Sequence, residues 1–266
     1  MLGKRVLSAA VLIPIVGGAV YVGGLWFSAL VALVALLAGY EYLAMMRHRE
    51  LAPSYFLGLP LIALFVADAQ WPRLGLLRWG LALFPLAALT VEVFHGNAPG
   101  SLMNWALTIA GAVYIGFAIS HFIRLRATDE GTWWVTVALV GTWVCDTGAY
   151  FVGCGIGKTK FFPRISPMKT WEGAAAGFLC GLLATVLLGC FLLGLAVGRA
   201  IVLGVLLVLG ATFGDLAESV IKRQAGVKDS SNLIPGHGGM LDRVDSLLFV
   251  APIVYYFATA GSKLPF

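Results

Sequence analysis

The chain has 266 residues, of which 60% are hydrophobic and only 12% are charged, and its mean hydropathy is +0.91. Soluble globular domains carry about 25% charged residues, so this composition excludes a soluble enzyme and indicates a polytopic membrane protein. A net charge of +5 could suggest a nucleic-acid partner. The distribution of the cations over the loops of the predicted bundle argues against one. The four cysteines form no CxxC pair, so neither a disulfide framework nor a zinc site is indicated.

Nine apolar runs predict an all-α protein with nine transmembrane helices in a single integral membrane domain, residues 1–266. A span needs about 17 to 25 predominantly apolar residues. The predicted helices of the N-terminal half, residues 1–130, cover 6–23, 25–46, 55–70, 77–94 and 102–123. Those of the C-terminal half, residues 131–266, cover 132–152, 173–195, 199–220 and 245–261. The third helix is short and contains Pro60 and Asp68, which neighbouring helices can accommodate.

The positions of the 18 lysines and arginines predict the orientation in the membrane. With nine spans, twelve of them fall on the face that carries the N-terminus and six on the other face. Cytoplasmic loops are enriched in Lys and Arg, so we expect the N-terminus in the cytoplasm. The two long polar loops, residues 153–172 and 221–244, lie on that same face.

Residues 219–245 are the most polar window of the chain, and two apolar runs flank them. Their charged, histidine and loop-glycine residues are Lys222, Arg223, Lys228, Arg243, Asp229, Asp242, Asp245, His237, Gly236, Gly238 and Gly239. Cations interleaved with acids on one loop favour a site for a metal-bound polyphosphate, in which Mg²⁺ and basic side chains share the charge of the anion.

Carboxylates are predicted to converge at this membrane face. Asp215 lies near the end of the eighth helix, with Glu218 and Ser219 three and four residues further on and therefore on the same helical face. Asp242 and Asp245 are three residues apart at the start of the ninth helix. Clustered carboxylates need an offsetting charge, and a divalent cation that prefers oxygen ligands, magnesium above all, would supply it.

A simpler interpretation of the same acids stays open. Asp242 and Asp245 can be helix N-terminal carboxylates stabilised by the macrodipole, or can pair with Arg243 and Lys222.

The backbone N–H groups at His237-Gly238-Gly239 can form an anion-binding nest. Alternatively the glycines form an ordinary turn, and the histidine makes a structural hydrogen bond.

A second polar group follows the sixth helix. Asp146 lies inside that helix, and an acid within the membrane indicates a functional site unless it bonds to a neighbouring helix. The structural alternative is preferred for five isolated groups, which are left without a role: Glu41, Asp68, Glu92, His95 and His121.

The segment Gly157-Lys158-Thr159 superficially resembles a P-loop. The spacing excludes one, because Val152 stands where the first glycine is required and no strand precedes it. Lys158 is still predicted to contact phosphate. The loop then closes with Ser166-Pro-Met-Lys169-Thr-Trp-Glu-Gly173, which supplies a further cation and an interfacial tryptophan.

These motifs resemble one known family. The order Ser219, Lys-Arg, four residues, Lys-Asp, then Pro-x-His-Gly-Gly and Asp-Arg-x-Asp is similar to the signature of the phosphatidate cytidylyltransferases, or CDP-diglyceride synthases. The stretch Asp146-Thr-Gly-Ala-Tyr-Phe and the segment 166–173 are similar to two further family segments. The resemblance covers residues 140–250, whereas the N-terminal half shares only the hydrophobic pattern.

The resemblance implies an integral membrane enzyme of the bacterial inner membrane that converts CTP and phosphatidate into CDP-diacylglycerol and pyrophosphate. It implies Mg²⁺ as cofactor, together with a monovalent cation such as K⁺, and is compatible with a homodimer. It makes Asp215, Asp242 and Asp245 metal ligands. The implied catalytic residues are Asp242, Asp215, Lys222, Arg223 and Arg243. The implied substrate-binding residues are Ser219, Lys228, Asp229, His237, Gly238, Gly239, Asp146, Lys158 and Lys169.

The sequence is compatible with three alternative functions. An enzyme of related chemistry could act on an ether-linked lipid or on a prenol phosphate. A transporter would also explain nine spans with intramembrane acids, but it would need interrupted helices and a polar path at the midplane. The acids of this chain instead lie toward one face.

Overall fold

The computed structural model describes residues 2–94, 100–233 and 238–260. Its ten α-helices in that part of the chain are α1 Leu2–Val22, α2 Gly24–Met46, α3 Tyr55–Gln70, α4 Leu76–Phe94, α5 Ser101–Ala112, α6 Ala118–Arg126, α7 Gly131–Ile156, α8 Trp171–Leu193, α9 Val197–Ala225 and α10 Leu241–Ala260. A π-helical segment, Val113–Phe117, joins α5 to α6 into one continuous rod. The prediction of an all-α membrane protein is therefore confirmed.

Helices occur at all nine predicted positions. Within the described residues, seven helical segments are long and apolar enough to cross a membrane. Of the other two, α3 is a shorter apolar helix, and its sixteen residues reach only about 24 Å at 1.5 Å per residue. In α1, which has 21 residues, the apolar segment is Ala10–Val22. The count of nine spans accordingly stays a prediction.

The helix ends at the polar loops differ from the predicted ones, and among them α7 ends at Ile156 instead of residue 152. Helix α9 continues to Ala225, so Lys222 and Arg223 are helical. Helix α10 begins at Leu241 rather than at residue 245, and Asp242 lies in its first turn. Helix α8 begins at Trp171. The predicted ends were wrong because hydropathy marks where apolar residues stop, whereas backbone hydrogen bonding continues through polar residues.

A small β-hairpin lies in the loop between α7 and α8, where only irregular structure was predicted. Its strands, β1 Lys160–Phe162 and β2 Ser166–Thr170, pair antiparallel. The Glu172 carboxylate accepts hydrogen bonds from the backbone N–H of Thr159, at 3.1 Å, and from its hydroxyl, at 2.9 Å. These bonds fasten the base of the hairpin to the first turn of α8.

The chain forms two compact units. The first consists of Met1–Arg124 and Lys222–Val244, and the second of Leu125–Ile221 and Asp245–Phe266. The polar segment that follows α9 therefore groups with the N-terminal helices, although it lies in the C-terminal part of the sequence.

In the first unit the acid of α3 has a structural role. Asp68, which the sequence left without a role, accepts a hydrogen bond from the backbone N–H of Leu77 at 2.9 Å. Its other oxygen forms an ion pair with Arg124 at 2.7 Å. This carboxylate thus connects α3 with the start of α4 and the end of α6.

In the second unit α7 and α8 are in close contact along a stripe of small residues. The buried residues of α8 recur every fourth position, at Gly173, Gly177, Gly181, Thr185 and Gly189. A Cβ at Gly177 would lie 2.9 Å from both the Ala149 Cβ and the Cys145 carbonyl oxygen. Small residues at such spacing let membrane helices approach closely, since lipid provides no hydrophobic force between them.

We expect Gly177→Leu to force α7 and α8 apart, because a larger side chain has no space there. The cost should be about 3 kcal/mol, as for overpacking of a tight core. The measurement is the thermal unfolding midpoint of the protein in detergent. The matched control is Gly198→Leu in α9, where an added Cβ meets nothing within 4 Å. Equal midpoints for both variants would contradict the close packing.

Candidate active site

The second unit contains a cavity of about 570 Å³ between α7, α8, α9 and the hairpin. Three predicted site residues line it: Asp146 from α7, Lys169 from β2 and Asp215 from α9. Lys160, which the sequence did not single out, lines it as well. The remaining lining residues are small, apolar or neutral polar, among them Cys145, Ala149, Tyr150, Phe161, Met168 and Ala174. The cavity is therefore a largely apolar space with a few convergent charges, as ligand sites commonly are.

An ion pair holds the principal cation of this cavity. The Lys169 Nζ lies 2.7 Å from the Asp215 Oδ2. About a quarter of the lysine side chain and a third of the aspartate side chain remain exposed. The Ser219 hydroxyl lies one turn away, 3.5 Å from the other Asp215 oxygen. The pair holds the ammonium group in the cavity while leaving both groups accessible to a ligand.

Glycines form the wall where the hairpin meets the helices. A Cβ at Gly157 would lie 2.5 Å from the Thr170 hydroxyl oxygen, which itself caps α8 by accepting from the Gly173 N–H at 3.2 Å. A Cβ at Gly173 would lie 2.7 Å from the Ala149 carbonyl oxygen. Gly157 is thus required for packing, while Lys158 is exposed, and its phosphate contact stays a prediction.

Asp242 in the first unit lies in a network of hydrogen bonds. Its Oδ1 pairs with the Lys222 Nζ at 2.6 Å. Its Oδ2 accepts from the backbone N–H groups of Ser230, at 3.0 Å, and Gly239, at 2.8 Å. The Ser230 hydroxyl oxygen lies 2.9 Å from the same Oδ2 and can donate its single proton either to Asp242 or to Glu41. Only 8% of the Asp242 side chain is exposed. The structure therefore shows the pairing with Lys222 that the simpler interpretation proposed.

The two glycines before α10 are required by the turn around this carboxylate. Gly238 has a φ of +76°, a conformation that residues with a Cβ rarely adopt. A Cβ at Gly239 would overlap the Ser230 hydroxyl and the Glu41 carboxylate. The Gly239 N–H donates to the Asp242 carboxylate, so in this structure it stabilises the loop. Contact of either glycine with substrate stays a prediction.

Sequence reasoning missed Glu41, which binds the same loop from α2. Its Oε1 accepts from the Ser231 hydroxyl at 2.6 Å and the Met240 N–H at 2.9 Å. Its Oε2 accepts from the Ser230 hydroxyl at 2.9 Å and the Leu241 N–H at 2.8 Å. The residue is only 3% exposed. An acid in an apolar helix signals that it needs a partner, but nothing in the sequence identified which one.

The other predicted site residues lie in several places. Arg223, Lys228, Asp229 and Arg243 are exposed, and Ser219 is buried. The Asp245 Oδ1 accepts from the backbone N–H of Ser246 at 2.7 Å. His237 lies outside the described residues. Their assigned roles stay predictions.

Two of the three predicted metal ligands have lysine partners in the structure. Among residues 2–94, 100–233 and 238–260, no group of three or more His, Cys, Asp or Glu side chains is arranged to hold a metal ion. Asp215 and Asp242 each bond a lysine instead. A lysine within 3 Å offsets the charge of each of these two carboxylates, and the metal-ligand assignment stays a prediction.

Comparison with known proteins identifies the family. The model of the cytidylyltransferase family matches residues 3–260. The chain belongs to the cytidylyltransferase family. The match spans both units, so the N-terminal helices, which resemble the family only in hydrophobic pattern, belong to the family architecture as well.

Curated relatives agree with this assignment. The phosphatidate cytidylyltransferase of Bacillus subtilis is 37% identical, over 89% of this chain and 90% of the relative. That of Synechocystis is 35% identical, over 96% of this chain and 95% of the relative. That of Staphylococcus epidermidis is 34% identical, over 94% and 96%. The family resemblance inferred from the motifs is thereby confirmed.

We expect Lys222→Met to destabilise this cytidylyltransferase family member by about 3 kcal/mol, because it leaves the buried Asp242 carboxylate without its cation. The double variant Lys222→Met/Asp242→Asn should recover part of the loss, since the unpaired charge is then removed. Unfolding midpoints of both variants and of Asp242→Asn complete the cycle. Additive effects of the two substitutions would show that the ion pair is energetically unimportant.

Proposed function

We propose that this protein transfers the cytidylyl group of CTP to phosphatidate, giving CDP-diacylglycerol and pyrophosphate. Family membership supplies the reaction class. The cavity supports the location of the reaction, because it brings Asp146, Lys169 and Asp215 together between apolar helices. A lipid phosphate needs such a site, because its acyl chains stay in hydrocarbon while the nucleotide arrives from water.

The chemistry needs electrostatic help rather than a strong base. A phosphatidate oxygen attacks the α-phosphorus of CTP; the new P–O bond forms as the bond to the β-phosphate oxygen breaks and pyrophosphate leaves. A phosphomonoester has a second pKa of about 6, so the nucleophile is already ionised near neutral pH. The remaining obstacle is the approach of two anions and the charge of the leaving group.

Lysines of the cavity address this obstacle. Lys169 and Lys160 line the same space and offset phosphate charge there. Asp215 holds Lys169 at 2.7 Å, which orients the ammonium group before substrate arrives. An incoming phosphate competes with this carboxylate for the lysine, and a positioned cation of this kind stabilises transferring phosphoryl groups.

Magnesium, with a monovalent cation such as K⁺, remains part of the proposal. When bound, Mg²⁺ would neutralise charge on the polyphosphate. Asp215, Asp242 and Asp245 remain the candidate ligands by family resemblance. In this structure Asp215 and Asp242 each pair with a lysine, so these two side chains would have to exchange partners to ligate a metal.

We place the N-terminus and the site on the cytoplasmic face of the bacterial inner membrane. The excess of Lys and Arg on that face supports this orientation, and CTP is a cytoplasmic substrate. A homodimer is compatible with the sequence and remains part of the proposal.

We expect purified protein to form CDP-diacylglycerol from CTP and phosphatidate, and to discriminate against other nucleoside triphosphates. Lys169→Met should lower kcat/KM by about 100-fold, as expected for the loss of one charge-stabilising donor. The matched control is Arg164→Met, an exposed cation of the same hairpin that does not line the cavity. Absence of product with the wild type would refute the function, and equal kinetics of both variants would refute the role of the cavity.

Metal removal tests the cofactor separately. Chelation should abolish pyrophosphate release, and added Mg²⁺ should restore it. Ca²⁺ should restore less, because its coordination is larger and more flexible. Full activity in the chelated sample would exclude the magnesium requirement and leave the lysine-based mechanism intact.

A further inference from the structure

We propose that Glu41 is a positioning residue that holds residues 230–231 and 240–241, the two ends of one loop, and through them the Lys222–Asp242 pair in the arrangement used for cytidylyl transfer. The inference rests on the proposed function. Glu41 lies in α2, which the family motifs do not cover, yet its carboxylate bonds to residues 189 to 200 positions further along the chain.

The carboxylate holds the loop at both of its ends. Ser230 and Ser231 donate their hydroxyls from the first end, and Met240 and Leu241 donate backbone N–H groups from the second. Each oxygen takes one donor from each end. Since the side chain is buried, each of these bonds forms away from bulk water, where an unsatisfied partner is costly.

The second end is also the start of α10. The first N–H groups of a helix have no partner within the helix, and the helix dipole favours a negative group beside them. Glu41 supplies that group from another helix, because Leu241 is the first residue of α10. Its position therefore determines where α10 begins and where the next residue, Asp242, points.

One hydroxyl connects Glu41 to Asp242. The Ser230 Oγ lies 2.9 Å from the Glu41 Oε2 and 2.9 Å from the Asp242 Oδ2. Asp242 in turn holds the Lys222 ammonium at 2.6 Å. A displacement at Glu41 is thus passed through one side chain to the ion pair, all within the first compact unit.

A second contact from the same region supports this connection. Arg49, just after α2, donates from Nε to the Gln224 carbonyl oxygen at 2.9 Å, in the last turn of α9. The N-terminal helices therefore hold both the end of α9, which carries Lys222, and the start of α10, which carries Asp242. This arrangement gives the N-terminal part of the chain a role in the chemistry.

The decisive variant is Glu41→Gln, which keeps the shape of the side chain. In the glutamine one carboxylate oxygen is replaced by an NH₂ group, which cannot accept hydrogen bonds. The two donors that bonded to that oxygen therefore lose their acceptor, and two of the four bonds are lost. We expect kcat to fall by about 100-fold, as for a small misplacement of reacting groups, while KM for CTP changes by less than about threefold. Ser231→Ala removes one donor only and should give an intermediate loss of kcat.

The matched control is Asp68→Asn. It alters another buried carboxylate of the same unit, whose partners are Leu77 and Arg124, and it separates loss of stability from loss of positioning. Glu41→Gln and Asp68→Asn should lower the unfolding midpoint to similar degrees, but only Glu41→Gln should lower kcat of the folded fraction. Equal specific activity of the two folded variants would overturn the proposal.

Hydrogen exchange provides a readout without substrate. The amides of Met240 and Leu241 should be protected in the wild type and exchange at least tenfold faster in Glu41→Gln, with no such change in Asp68→Asn. Should Glu41→Gln fail to fold, Ser231→Ala carries the same comparison. Unchanged exchange in the folded variant would overturn the proposal. A wild type that is inactive but shows this exchange pattern would refute the proposed function and leave the loop contact standing.

Discussion

A buried carboxylate that accepts four hydrogen bonds is the interaction on which the polar segment of this protein depends. Glu41 is surrounded by apolar helix, where a charge is costly unless donors compensate it. The donors come from both ends of one loop. Because the carboxylate and the donors each need the other, the loop has one well-defined arrangement at these ends, and the start of α10 is determined with it.

Pairing of opposite charges recurs in both units. Lys222 pairs with Asp242 in the first unit, and Lys169 pairs with Asp215 in the second. In each pair the aspartate holds the lysine in position, and the pair as a whole places no net charge beside the apolar helices. The two pairs differ in exposure: the Asp242 side chain is 8% exposed and that of Asp215 is 33% exposed. The first pair is therefore enclosed in a network of hydrogen bonds, whereas the second faces an open cavity.

Close helix packing gives the cavity its shape. The small residues of α8 bring α7 to contact distance, and the Thr170 hydroxyl caps α8 beside Gly157 and Gly173. The hairpin that carries Lys169 connects α7 to α8, and the Glu172 carboxylate bonds its base at Thr159. A rigid scaffold of this kind is what a reaction between two anions requires, since the cations must be in place before the substrates meet.

The amino-acid sequence by itself determined the membrane class, the positions of the helices and the family, because hydropathy is a property of contiguous residues and the motif is a fixed spacing. It also identified Asp146, Lys169 and Asp215, which the structure brings to one cavity. Only the tertiary structure decided that Glu41 bonds to the two ends of the loop and that Asp215 and Asp242 each form an ion pair with a lysine. The partner of a buried charge is chosen by proximity in space, and residues 41 and 230 are 189 positions apart, beyond the reach of any local pattern.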